Sequence, residues 1–161
     1  MIKSHVEQQF LLYASADKRV LILETDRNSE RLLSSTTWMI DGTFSIVPKF
    51  YKQLVTIMGI LYHEFYPLIY VLMVNKTQID YEYVLETLQD IAVNNNLTWP
   101  KSINICPDFE LACGNSFIKF FDDDNIYRCF FHLAQSLYRR IQLLGLAAIY
   151  NIDDNMHIKC K

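Results

Sequence analysis

A chain of 161 residues, half of them hydrophobic (51%), has the length of one ordinary domain and the apolar content for a full core, which excludes a disordered tail. The formal net charge of −3 argues against tight nonspecific nucleic-acid binding by charge alone, which needs a basic footprint. His63, Glu64 and Pro67 break the apolar stretch from Gln53 to Val74, so no membrane span and no membrane partner is expected.

Residues 10–13 and 20–25 flank a polar turn at Asp17-Lys18-Arg19 and predict a hairpin or two edge strands. Asp26 to Ser29 can cap a short helix carrying Leu32 and Leu33. A buried strand follows over 37–41, where Trp38-Met39-Ile40 runs straight into Asp41-Gly42. The nearly continuous apolar residues of 53–62 and of 67–74, joined by a turn at Tyr62 to Tyr66, complete an antiparallel meander. Tyr81, Val84, Leu85, Leu88, Ile91 and Ala92 fall at three- and four-residue spacing and predict a helix over 78–94.

A fourth strand is predicted over 102–106, ending on Asp108-Phe109-Glu110, then a helix from Glu110 to Phe121 that Gly114 weakens. Asn125 to Phe131 reads as a fifth strand, and Leu133, Leu137, Ile141 and Leu144 mark a helix over 132–143 that Gly145 interrupts or that runs on to Tyr150. The order β-β-β-α-β-α-β-α predicts an α/β fold, a ribonuclease H-like mixed sheet of five strands behind an N-terminal preamble of a hairpin and a short helix. Preamble, core and polar tail are expected over 1–35, 36–150 and 151–161.

That topology sets the first and fourth core strands side by side, although Asp41 and Asp108 are far apart in sequence. Hard cations such as Mg²⁺ or Mn²⁺ take carboxylate oxygens, and a pair of them can activate a nucleophile and stabilise the leaving oxygen of a phosphodiester. Asp41 and Asp108 are therefore the candidate catalytic and metal-binding residues. Singly, an Asp at a strand end is more often a turn or cap residue; together on neighbouring strands the two favour a metal site. Glu110 is a candidate third ligand, or more simply a first-turn helix residue at the positive end of the dipole. The run Asp122-Asp123-Asp124 reads as a solvated loop.

Cys129-x-x-His132 and His157-x-x-Cys160 offer four soft ligands for a structural zinc, against the commoner fate of a buried thiol and a hydrogen-bonded imidazole. The four cysteines, at 106, 113, 129 and 160, show no disulfide framework and suggest a reducing compartment. Lys49, Lys52, Arg128, Arg139 and Arg140 are candidate phosphate contacts.

Several pieces, in order, resemble the Mutator-like (MULE) transposase domain. They are Trp38 to Phe44, Pro48 to Leu54, Pro67 to Met73 with Lys76-Thr77 and Tyr81, Asp108-Phe109-Glu110, Cys129-Phe130-Phe131-His132 and Gly145-Leu146. The likeness spans roughly residues 20–150. It implies a ribonuclease H-like core, a D-D-E triad holding divalent metal, and cleavage of DNA at transposon ends with joining to target DNA in the nucleus. By motif position Asp41 resembles the first acid, Asp108 the second, and Cys129-x-x-His132 the family's C-x-x-H element, whose histidine helps shape the pocket. Homo-oligomers are compatible with it in a full-length form. The departure is the triad glutamate: no Glu follows Glu110, and Asp153 and Asp154 come too early to replace it. The chain thus resembles a truncated, decayed or excerpted transposase and is expected to be inactive alone. The alternatives are a non-catalytic DNA-binding or protein-interaction module, and a ribonuclease of the same fold.

Overall fold

The computed structural model describes residues 11–147, apart from 109 and 122–124. Six strands form one mixed sheet in the order β1-β2-β5-β4-β3-β6, accompanied among the described residues by four α-helices. In chain order they are β1 (Leu11–Ala14), β2 (Val20–Leu23), α1 (Asp26–Ser34), β3 (Thr37–Thr43), β4 (Gln53–Leu61), β5 (Glu64–Met73), α2 (Gln78–Asn94), β6 (Asn104–Cys106), α3 (Leu111–Ile118) and α4 (Phe130–Leu143). Two compact units meet at the Arg128–Cys129 junction; the sheet and α1–α3 belong to the first, α4 to the second.

The expected meander is present as β3-β4-β5, and β6 lies parallel to β3, so the first and fourth core strands are neighbours. Two expectations on strand count need correction. The N-terminal hairpin is part of the sheet, because β2 pairs with β5 and its inward Val20 and Ile22 stand opposite Met73 and Val71 on the buried face. The fifth core strand shrinks to a single parallel bridge, Ile105 to Ile126. β6 is only three residues long and Pro107, which has no N–H, follows it, so little ladder remains to extend. Phe130 and Phe131, assigned to that strand, form the first turn of α4 instead.

Side chains alternate strictly along β4: Gln53, Val55, Ile57 and Gly59 are buried, while Leu54, Thr56, Met58 and Ile60 are half-buried. The buried face carries the core, which joins Trp38, Ile40, Val55, Ile57, Val71 and Ile105 to Leu32, Tyr81, Val84, Leu85, Leu88 and Phe117 of the helices. Helix α2 starts on a capping box: Thr77 accepts from the Asp80 N–H and Asp80 accepts from the Thr77 N–H. In the second unit, α4 ends in a Schellman motif on Gly145 (φ 72°), whose N–H donates to Gln142 while that of Leu146 donates to Ile141. The expected run on to Tyr150 extends beyond the described residues.

The β4–β5 connection is a two-residue loop, Tyr62-His63, closed by the pair Leu61–Glu64. Both loop residues have positive φ (53° and 68°), as a type I′ hairpin turn requires, yet neither is the Asn or Gly that adopts it without strain. Tyr62 is 91% exposed, so its ring offsets none of this. The double change Tyr62→Asn, His63→Gly is expected to raise stability by about 1–2 kcal/mol, read as a higher urea midpoint at unchanged m-value.

Candidate functional site

Strand β3 delivers Asp41 by alternation. Trp38, Ile40 and Gly42 belong to the buried, helix-covered face, and Gly42 stands opposite Val55 and, one strand further, Val71. Asp41 belongs to the other row: it stands opposite Thr56, which stands opposite Tyr70, and all three are half-buried. Its carboxylate therefore projects from the sheet face that α1–α3 do not cover.

Strand β6 leads to Asp108. Cys106, the last residue of β6, is the partner of Met39, two positions before Asp41, and Asp108 follows two positions after it. Pro107, fully buried and without an N–H, ends the ladder before Asp108. Its Oδ2 lies 3.6 Å from where a Cβ on Gly42 would stand; Gln53 Oε1 is also at 3.6 Å and Phe44 Cζ at 3.7 Å. Asp108 thus packs on the residue next to Asp41, which lies on β3, while Asp108 itself lies two residues past the end of the parallel strand β6. The space beside Gly42 is taken by Asp108, Gln53 and Phe44.

Beneath this notch runs a polar network that sequence reasoning missed. Gln53 is fully buried, and its amide donates to Tyr81 Oη at 2.9 Å. The Tyr81 hydroxyl in turn lies within 3.3 Å of Glu110 Oε2, to which it donates. Burial raises the Tyr81 phenol well above its ordinary pKa, the neighbouring Cys113 thiol and the Glu110 carboxylate add to the shift, and the Gln53 contact opposes it. The phenol therefore stays protonated and remains a donor. Glu110 is the N-cap residue of α3 but caps nothing with its side chain; its Oε2 is taken by Tyr81 and by Lys76 Nζ at 3.2 Å. Lys76 also sits over the ring of Phe44, 4.1 Å from its centroid.

Two further groups border the acids. The guanidinium of Arg128 lies against Gly114, with Nη1 3.0 Å from where a Cβ would stand, so any side chain at this position would push the guanidinium aside. Cys113, almost fully buried, has its thiol pushed up to about 12, by burial first and then by the charges of Asp108 and Glu110. It is a neutral core thiol at neutral pH. In the folded protein Cys113 should resist alkylation at pH 8 while half-buried Cys106 and Cys129 react, and all should react in urea; counting labelled thiols by mass spectrometry checks this.

Among the described residues no three or more His, Cys, Asp or Glu side chains converge closely enough to hold a metal ion. Asp41 and Asp108 both offer carboxylate oxygens, donors that suit a Mg²⁺- or Mn²⁺-type cation and not zinc. Two carboxylates, completed by water or phosphate oxygens, are a sufficient protein share for such an ion. In the second unit Cys129 is the N-cap of α4 and His132 lies in its first turn, while His157 and Cys160, like Asp153 and Asp154, fall outside the described residues. Arg139 and Arg140 are exposed on α4; Lys49 and Lys52 are exposed in the β3–β4 connection.

The fold and these residues define a class: a mixed α/β domain with one acid on a strand and a second just past the end of its parallel neighbour. The family model of the MULE transposase domain matches residues 37–136, more than half of the chain and every candidate residue from Asp41 to His132. The chain belongs to the MULE transposase family. Membership implies interaction with DNA in general. No curated protein and no solved structure matches it. No helix among the described residues is long and apolar enough to cross a membrane.

Proposed function

We propose that this chain is part of a MULE transposase catalytic core with a ribonuclease H-like arrangement, in which Asp41 and Asp108 hold a divalent cation of the Mg²⁺ or Mn²⁺ class. The observation that carries this is the parallel β3–β6 pair, which sets Asp108 against Gly42, beside Asp41, inside the stretch matched to the family. Such an ion, when bound, activates an attacking hydroxyl and stabilises the leaving oxygen of a phosphodiester. The chain's own residues do the holding. Asp41 is fixed by its strand, Asp108 by the buried Pro107 behind it and by its packing on Gly42, so both acids are rigid. The substrate class is DNA, at transposon ends and target, in the nucleus.

A D-D-E triad needs a third acid, and no Glu follows Glu110. The 161-residue polypeptide is therefore expected to bind Mn²⁺ without nicking DNA. One observation favours the second reading, a non-catalytic DNA-binding or interaction module: Glu110, the nearest further acid in sequence, is engaged by Lys76 and Tyr81.

Thermal unfolding with and without Mn²⁺ separates the two. At an ion concentration of about 100 Kd, linkage adds about 2.7 kcal/mol, which raises Tm by several degrees. The shift should vanish in Asp41→Asn and in Asp108→Asn. A wild-type protein indifferent to Mn²⁺ would establish the non-catalytic reading.

A further inference from the structure

We propose that Lys76 is a resident counter-ion of the site, holding Glu110 in a competing ion pair, so that divalent metal binds only against this tethered charge. The inference rests on the metal reading of Asp41 and Asp108 and adds a role for a cation that membership of the family does not assign.

Lys76 lies in the β5–α2 connection, directly before Thr77, the N-cap of α2. Its ammonium has two partners, the Phe44 ring at 4.1 Å and Glu110 Oε2 at 3.2 Å. Phe44 also touches the Gly42 notch, with Cζ 3.7 Å from the missing Cβ, and Asp108 occupies that notch. Glu110 is tied to the same place from below, through Tyr81 to Gln53, whose Oε1 shares the notch with Asp108 Oδ2. Two carboxylates two positions apart, Asp108 and Glu110, thus bear on one small region, and both act electrostatically on Cys113. Lys76 compensates part of that negative charge.

The pair is built to be exchanged. The Lys76 and Glu110 side chains are 31% and 29% exposed, so water competes for both and the pair is weak by the standard of buried ones. The lysine head is a point charge on a flexible stem that can turn to solvent while the stem stays on Phe44. A divalent ion at Asp108 brings more positive charge to the same carboxylates than the ammonium does, and it repels the ammonium. With such an ion held, Glu110 would be freed from Lys76.

The test is Mn²⁺ affinity, measured by calorimetry and by electron paramagnetic resonance of free Mn²⁺, with no activity assay involved. Lys76→Met keeps the stem and removes the charge; it should bind Mn²⁺ about twofold to fivefold more tightly than wild type, the worth of one partly exposed pair. The gain should be absent from Lys76→Met combined with Glu110→Gln, and Asp108→Asn should abolish binding in either background. Lys76→Gln, which is also neutral, should show the same gain and serves if the methionine variant does not fold. Wild-type binding that is unchanged or weakened in both neutral variants would overturn the role of Lys76 and leave the metal reading standing. No Mn²⁺ binding in any variant would overturn both.

Discussion

Replacing Trp38 with alanine is expected to remove about 3–5 kcal/mol of stability, a large part of what a domain of this size possesses. Trp38 is fully buried on β3, and its ring is held edge-on by Trp99 (centroids 5.7 Å apart) and Phe121 (5.4 Å). Its indole N–H donates to the Leu32 carbonyl at 2.8 Å, near the end of α1. One side chain thus ties α1, β3 and the segments on both sides of α3 together, and alanine loses the packing and one of two donors to the Leu32 carbonyl, which keeps the Ser35 N–H. Trp38→Phe keeps a ring against both neighbours and should lose less than half as much. Urea unfolding followed by the fluorescence of Trp99, the other tryptophan, reports all three proteins. A loss under about 1 kcal/mol in the alanine variant would mean that the cluster is not the centre of the core. Because Asp41 lies three residues further along the same strand, the destabilised variant should also lose any response to Mn²⁺.

The elements that sequence made legible are those with a strong local signal. Helix α2 has six apolar residues in register and the Thr77–Asp80 box in front of them, and it lies where its spacing places it. The meander follows from long β-rich runs, and the parallel pairing of β3 with β6 from the helix between them. The fifth strand failed because Cys129-Phe130-Phe131 is too short an apolar run for periodicity to separate a strand from the first turn of a helix. The turn at Tyr62-His63 was read as longer than it is, since neither residue carries the usual signal for positive φ. Pro67 hid the first part of β5; it is tolerated where the β4–β5 register slips, beyond the stretch that pairs with β2.

The candidate site was half legible. Asp41 and Asp108 stood out because each closes an apolar run. That Asp108 would pack on Gly42 depends on Pro107 ending the ladder, which is a tertiary outcome. Lys76, Tyr81 and Gln53 were visible as letters of a family pattern but not as a network, because their partners lie about 30 positions away: Tyr81 is 28 residues from Gln53 and 29 from Glu110. One signal was present. Gln53 has the parity of Val55 and Ile57 on β4, so a polar side chain was bound for the core and needed a buried partner.

That partner makes Tyr81→Phe the sharpest probe of how the core supports the acids. Phenylalanine fills the same space but takes the hydroxyl from Gln53, whose amide is left with the Met73 sulfur at 3.5 Å as its remaining side-chain partner. A buried amide without an oxygen partner costs about 1–3 kcal/mol, and that loss is expected for Tyr81→Phe. Glu110 loses a donor too, but keeps Lys76 and contact with water, so its share is small. If the loss comes from the stranded amide, removing the amide should return part of it: Gln53→Met with Tyr81→Phe should be more stable than Tyr81→Phe alone. Additive losses in that double-mutant cycle would show that Gln53 and Tyr81 do not act as a unit. The same variants bear on the acids, since Gln53 Oε1 and Asp108 Oδ2 both fill the space above Gly42. Releasing Gln53 frees a side chain to move against Asp108, and the Mn²⁺-dependent rise in Tm should shrink in Tyr81→Phe even after its lower starting stability is taken into account.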